Sequence, residues 1–195
     1  MKRVLIVVDY QNDFVSGSLG FLGAEKLEAK IISFVKEFEE SNDIVVFTMD
    51  THDSGYLDTV EGKRLPISHC IKGSDGWKIT NELSKYVGNH KIICKPTFPS
   101  LELGNYLSLI DASEIHLVGL VSDICVISNA IIAKAACPNA NIYIHKNLTS
   151  SSNLKMQKKS FELAENLHIN VVDWERKKYE KKHGLYSKWW TDIGY

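Results

Sequence analysis

Six short runs rich in valine and isoleucine recur along the chain, separated by stretches whose apolar residues repeat at helical spacing. The runs cover residues 3–8, 44–49, 91–94, 115–119, 141–145 and 169–172. Their apolar character is continuous rather than alternating, which is how strands read when both faces of a sheet are covered. Between the first two, Leu27, Ile31, Phe34, Val35 and Phe38 fall on one helical face, with acids and lysines on the other. Helical patterns also fit 78–87, 101–109, 126–136 and 154–167. Such an alternation predicts parallel strand pairing with right-handed crossovers. The expected fold class is α/β, with three α/β/α layers around a mostly parallel, six-stranded, Rossmann-like sheet. A chain of 195 residues suits one such core. The expected division is a domain over 1–173 and a basic, aromatic tail over 174–195.

Charge and composition narrow the function classes. The formal net charge is −1, so no global field draws nucleic acid or an anionic membrane toward the chain. The tail carries Trp174, Tyr179, Tyr186, Trp189, Trp190 and Tyr195 among lysines. Stacking on single-stranded nucleic acid is one use of such a segment. Packing on its own domain or on an oligomer partner is the preferred one, since aromatics are favoured at interfaces. The expected partners are a small-molecule substrate and further copies of the chain in a homo-oligomer, with no nucleic acid and no membrane. The first apolar run ends at Asp9, too short for a signal-peptide core or a membrane span, so the expected compartment is cytoplasmic. Cys70, Cys94, Cys125 and Cys137 show no paired spacing and are expected as free thiols. Cys94 and Cys137 read as small buried hydrophobes. No glycine-rich nucleotide motif is present.

In an open parallel sheet, loops gather outside the carboxyl ends of the strands and ligand sites form there. Asp9, Asp50 and Lys95 each stand at the end of a strand run, and Cys125 follows the fourth run by six residues. A thiol attacks only as thiolate, and its ordinary pKa of about 8.5 leaves it protonated at neutral pH. A helix N-terminus at position 125 and the charge of Lys95 would both favour the thiolate. Asp9 would then take the thiol proton and return it to a leaving amine. The competing reading of Asp9 and Lys95 is a structural ion pair. Asp50, His52 and His69 offer one carboxylate and two imidazoles, a set that suits Zn²⁺, Mn²⁺ or Fe²⁺. They stand at the start and end of a long connection over 51–76. Cys70 is a possible soft fourth ligand beside His69. His90, His116, His145, His168 and His183 show no partner pattern and read as surface or structural.

The segments "VVDYQNDF" (7–14), "DTH" (50–52), "SHCIKGSDGW" (68–77), "KPTFPS" (95–100) and "GLVSDICVISNA" (119–130) together resemble the isochorismatase-like cysteine hydrolases, and within them the nicotinamidases. The resemblance runs in order from about residue 3 to residue 172. It implies the isochorismatase-like hydrolase fold and an Asp9–Lys95–Cys125 triad in which the thiol attacks an amide carbonyl. It further implies a cis peptide bond at Leu120–Val121 and an oxyanion hole from the Val121 and Cys125 N–H groups. By the same resemblance, Asp50, His52 and His69 bind a divalent metal, zinc first, and Phe14, Leu120 and Val121 face the substrate.

One position departs from the nicotinamidase pattern. Where that branch carries a ring-stacking Trp three residues before its second metal histidine, this chain has Pro66, preceded by Leu65. Tyr56 or Trp77 are the candidates to supply the missing aromatic face, and Tyr56, Glu61, Lys63 or Arg64 would read a different substrate. The expected activity is hydrolysis of a small primary amide through a thioester, nicotinamide first. Carbamoyl or ureido amides are the alternative within the triad chemistry. An isochorismatase-type vinyl ether is disfavoured, because its cleavage does not need Cys125. A catalytically silent binding member of the fold would have little use for the three residues together.

Overall fold

The computed structural model describes residues 2–175, in which the expected alternation resolves into six strands and seven α-helices. In chain order these are β1 (Arg3–Val8), α1 (Asn12–Val15), α2 (Glu28–Glu40), β2 (Ile44–Asp50), α3 (Val60–Arg64), α4 (Asn81–Ser84), β3 (Lys91–Lys95), α5 (Leu101–Ser108), β4 (Glu114–Leu120), α6 (Ile127–Ala136), β5 (Asn141–Ser150), α7 (Leu154–Asn166) and β6 (Asn170–Val172). The strands lie in the order β3-β2-β1-β4-β5-β6, and every pairing is parallel. The order reverses between β1 and β4, so a crevice opens beyond the carboxyl ends of those two strands.

The continuous apolar runs are explained by helices on both faces. In β1, Val4, Ile6 and Val8 join a core with Leu103 and Leu107 of α5, Ala130 and Ala133 of α6 and Ala164 of α7. Leu5 and Val7 point the other way, onto Ile31, Phe34, Val35 and Phe38 of α2 and Leu83 of α4. Each large side chain so buried contributes about 1.5–3 kcal/mol of hydrophobic stabilisation before its entropy is counted. Trp174, the first residue of the expected tail, packs on Phe34 at 5.3 Å between ring centroids. The tail from residue 176 onward lies outside the described residues.

Several elements differ from expectation for identifiable reasons. The helix expected over 78–87 contracts to α4, because the backbone just before it is bonded to the chain after β1. Asn12 N–H donates to Lys78 O, Thr80 N–H donates to Tyr10 O, and Gln11 bridges Ile79. Strand β5 continues past His145 to Ser150, since its register with β4 shifts between Leu117 and Gly119. The connection over 51–76 holds a 3₁₀ turn, Tyr56–Asp58, and then α3. Cys94 is exposed rather than buried: β3 is an edge strand whose outward positions, Ile92 and Cys94, are left uncovered. Cys137 is half-buried, its thiol against Leu107 O. His116 and His145 are buried as a structural pair, and no described helix is long and apolar enough to cross a membrane.

Gly119 permits the approach of β4 to β1 just before the site. Its φ is +104°, and a Cβ there would lie 2.0 Å from Val8 O, so no other residue fits this backbone. The peptide bond between Leu120 and Val121, directly after it, is cis.

Candidate active site

Four strand ends deliver their polar residues to one buried point. Asp9 leaves β1 with φ +44°, Asp50 closes β2, Lys95 closes β3, and Cys125 lies in a π-helical turn, Ser122–Val126, between β4 and α6. The thiol was expected on the first turn of an α-helix. Instead the turn is wider: Val126 N–H donates to Val121 O, five residues back, at 3.1 Å. Single π turns of this kind are frequent at functional sites.

Lys95 is the hub. Its Nζ forms an ion pair with Asp9 Oδ2 at 2.6 Å, donates to Thr97 O at 3.0 Å and reaches Asp50 Oδ1 at 3.4 Å. It also lies 3.6 Å from Cys125 Sγ. Asp9 Oδ1 accepts from Thr48 Oγ1 at 2.7 Å. All three side chains are almost wholly enclosed, so their charges act without much screening. Burial opposes the Lys95 charge, but Asp9, Cys125 and Asp50 outweigh it and hold the ammonium well above its ordinary pKa. Burial pushes the Asp9 carboxyl up against the attraction of Lys95. It pushes the Cys125 thiol up as well; Lys95 pulls it down, and Asp9 and Asp50 push it further up. The net push on the thiol is upward, opposite to what a helix N-terminus and a cation alone predict. Asp9 also engages the thiol through a side-chain hydrogen bond.

Beside this cluster lies a second one. Asp50 Oδ2 stands 3.1 Å from His52 Nε2 and 3.4 Å from His69 Nε2. Glu61 Oε1 is 3.8 Å from His52 Nε2 and 4.0 Å from His69 Nε2, buried and without a hydrogen-bond partner. One donor atom from each of Asp50, His52, Glu61 and His69 lies within 4.8 Å of all the others. His69 Nδ1 is 2.8 Å from Ile67 O, to which only an N–H can donate, and this leaves Nε2 facing the cluster. Burial works to raise the Asp50 carboxyl, but the hydrogen bonds from His52 and His69, with Lys95 adding, hold it far below the usual range. An unpartnered buried carboxylate oxygen, a second carboxylate and two oriented imidazoles together fit a divalent cation. Glu61, one of the four residues offered as readers of a different substrate, does line the cavity beside Cys125, and it also brings a fourth donor atom to this group. Cys70 is not one: its side chain packs in the core on the α2 face, and its N–H donates to Asp13 Oδ2 at 2.7 Å.

The chain after β1 fixes the long connection that carries these ligands. Gln11 Nε2 donates to Asp50 O at 2.9 Å and to Trp77 O at 2.7 Å, and its Oε1 accepts from Asp50 N–H. Asn12 Nδ2 donates to Asp75 O, and Asp13 holds Cys70, the neighbour of His69. Sequence reasoning missed this positioning set. The signal available was a run of three polar residues, Gln11, Asn12 and Asp13, beginning two positions after Asp9.

A cavity of about 200 Å³ opens onto Cys125 and Val121. Phe14, Phe21, Phe98 and Leu65 form its apolar walls, and Asp50, Glu61 and His69 its polar side. Leu120 is enclosed in the core beneath Val121. Tyr56 is buried behind the metal-type cluster, its ring 4.5 Å from that of His52 and its hydroxyl donating to Leu65 O. Trp77 lines a separate hollow with Met49 and Ile92 and donates to Thr51 Oγ1. Neither ring reaches the cavity. Phe14 packs with the α2-side core and Phe98 against the α5/α6-side core, so two aromatic rings approach the cavity from opposite layers.

Comparison with known proteins agrees with the fold. The family model for the isochorismatase domain matches residues 3–176. An isochorismatase family protein of Bacillus subtilis, PncA, is 30% identical over 167 residues, 78% of this chain and 88% of the relative. The crystal structure of nicotinamidase PncA from Bacillus subtilis superposes with a TM-score of 0.79 at 30% identity, covering 89% of this chain and 100% of that one. Pyrazinamidase of Pyrococcus horikoshii, solved in complex with zinc, superposes with a TM-score of 0.78 at 21% identity, over 89% and 100% of the two chains, and so shares the fold.

Proposed function

The chain belongs to the isochorismatase family, and from that premise we propose that it is a cysteine amidohydrolase acting on a small primary amide, with nicotinamide the first substrate to test. The observation that carries this reading is Lys95 Nζ at 2.6 Å from Asp9 and 3.6 Å from Cys125 Sγ, at a cavity walled by aromatic rings.

The chemistry divides into two halves. Asp9 accepts the Cys125 proton, and the thiolate attacks the amide carbonyl carbon. The carbonyl electrons move to oxygen, and the N–H groups of Val121 and Cys125 are assigned to that oxyanion. Protonated Asp9 donates to the amide nitrogen as the C–N bond breaks, releasing ammonia and leaving a thioester. Asp9 then removes a proton from water, whose oxygen attacks the thioester. Collapse expels the Cys125 thiolate, which recovers its proton, and the acid leaves. Lys95 stays charged throughout and lowers the cost of each anionic state in the enclosed site.

Asp50, His52, Glu61 and His69 would hold a divalent metal, zinc first, whose Lewis acidity would anchor a substrate ring nitrogen or a water beside the amide. Phe14 and Phe98 both line the cavity, which supports an aromatic amide although Pro66 stands where nicotinamidases carry their Trp.

The test is ammonia release from nicotinamide by purified protein, paired with Cys125→Ala. Release by the wild type that is lost in the variant is the expected result. No release from nicotinamide, with release from carbamoyl or ureido amides, would move the substrate and keep the mechanism. No release from any of these would overturn the hydrolase reading.

A further inference from the structure

Asn129, in the first turn of α6, is fully buried and lies outside the chemistry described above. Its Nδ2 donates to Cys125 O at 2.8 Å and to Phe98 O at 3.0 Å, and its Oδ1 accepts from Ser100 N–H at 3.0 Å. The amide orientation is dictated by its partners: two carbonyls require the NH₂ group and one N–H requires the oxygen. A buried amide so fully engaged is expensive to place unless each bond is made, and here each is.

These three bonds join segments that the sheet itself holds apart. Cys125 hangs from β4 and the 96–100 segment from β3, and β2 and β1 lie between those strands. The 96–100 segment carries two parts of the site: Thr97 O, which accepts from Lys95 Nζ, and Phe98, on the cavity wall. Asn129 grips the nucleophile's own backbone at one end and the wall and helix-capping backbone at the other. A displacement on the order of 1 Å between reacting groups costs about 10²-fold in rate.

We propose that Asn129 is a positioning residue that locks the Cys125 turn to the Thr97–Ser100 segment, so that thiol, Lys95 and Phe98 keep one fixed relation. The proposal rests on the cysteine-hydrolase reading above. Its test compares Asn129→Ala, Asn129→Thr and Ser100→Ala in the full chain. The Thr hydroxyl can reach the carbonyl four residues back, which is Cys125 O, but not the other two partners. It serves as the folded variant if the alanine one fails to fold. Ser100→Ala removes the hydroxyl that caps Leu103 N–H and leaves the Asn129 bonds in place, so it reports general destabilisation of the same region.

Two readouts are used: steady-state amide hydrolysis, and the rate of Cys125 alkylation by iodoacetamide at one pH, with exposed Cys94 as internal reference. The expected result for Asn129→Ala is a kcat lowered about 10- to 100-fold, with KM changed by less than about threefold. Its Cys125 alkylation should depart at least about threefold from wild type while Cys94 is unaffected. Asn129→Thr should lose about 3- to 10-fold in kcat, and Ser100→Ala should keep wild-type kcat and alkylation whatever its melting temperature. Asn129→Thr with undiminished kcat, or Ser100→Ala with the same kcat loss as Asn129→Ala, would overturn the proposal. If the wild type hydrolyses no amide, the hydrolase reading fails by itself. The alkylation comparison then decides whether Asn129 holds the thiol, and unchanged Cys125 alkylation in both Asn129 variants would refute it.

Discussion

The molecule buries two clusters of titratable side chains, and they are built on opposite plans. At the carboxyl ends of β1–β4, Asp9, Asp50 and Lys95 are enclosed as charges, each facing an opposite one, beside a cavity. On the α2 side of β4 and β5, His116 Nδ1 lies 2.9 Å from His145 Nε2, and the rings pack against Phe34, Phe38 and Tyr143. Burial holds His116 down to about 4, helped by Arg3, and His145 down to about 3, helped by His116. The histidine pair is therefore buried neutral, with one ring donating to the other across the Nδ1–Nε2 contact. Burial alone does not mark a functional site. What separates the two clusters is whether the enclosed groups keep their charge and whether that charge faces open space.

The largest effect should come from breaking the charged cluster at its hub. Lys95→Met leaves Asp9 and Asp50 facing each other without their cation, and breaking a buried pair in this way costs about 3–5 kcal/mol of stability. Activity toward whichever amide the wild type hydrolyses should fall about 10³-fold or more, because the residues act as a unit. Urea denaturation and initial rates check both. A Lys95→Met protein with wild-type stability would mean that the cluster is not held as charges.

A smaller effect is expected from the metal-type donors. Purified protein should carry about one divalent ion per chain by elemental analysis, and His52→Ala should weaken that affinity about 10- to 100-fold. Removing the ion with a chelator should lower hydrolysis, and re-adding zinc should restore it. Protein without metal that works as fast as protein with it would leave Asp50, His52, Glu61 and His69 a polar wall and nothing more.

How much of each cluster is legible in the sequence follows from how local its causes are. The strands are legible because a doubly covered parallel strand needs an unbroken apolar run, as in residues 4–8. Asp9, Asp50, Lys95 and Cys125 are legible because each lies at or just beyond the end of such a run, and parallel pairing brings those ends to one edge. Glu61 is not legible as a fourth donor. Its place depends on Gln11 and Asp13 tying down a connection far away in the chain. Asn129 reads only as a polar interruption in an apolar helix, since two of its partners lie 29 and 31 residues away. Cys94 looks like core until the strand order makes β3 an edge. The π turn at Cys125 is set by backbone bonding that no residue pattern announces. The His116–His145 contact joins positions 29 residues apart, and only the β4–β5 register brings them together.

The smallest effect belongs to the neutral pair, and its sign distinguishes it from the charged cluster. An unfolded histidine titrates near 6.5, whereas in the folded chain His116 protonates at about 4 and His145 at about 3. Between those values the unfolded chain binds more protons, so stability rises with pH. The contribution is complete above about pH 6.5 and is lost as pH falls toward 4, by about 1.4 kcal/mol per pH unit for each histidine once pH is well below 6.5. His145→Gln keeps a hydrogen-bonding partner for His116 and removes one titration. Urea midpoints at pH 7, 6, 5 and 4.5 for both proteins read the effect, because subtracting the two curves cancels the titrating groups that do not interact with His145. The wild type should lose stability faster on acidification, by up to about 1.4 kcal/mol per pH unit relative to the variant. Parallel curves would mean that His145 titrates normally in the fold and that the pair is not held neutral. The contrast between the two regions would then rest on packing alone.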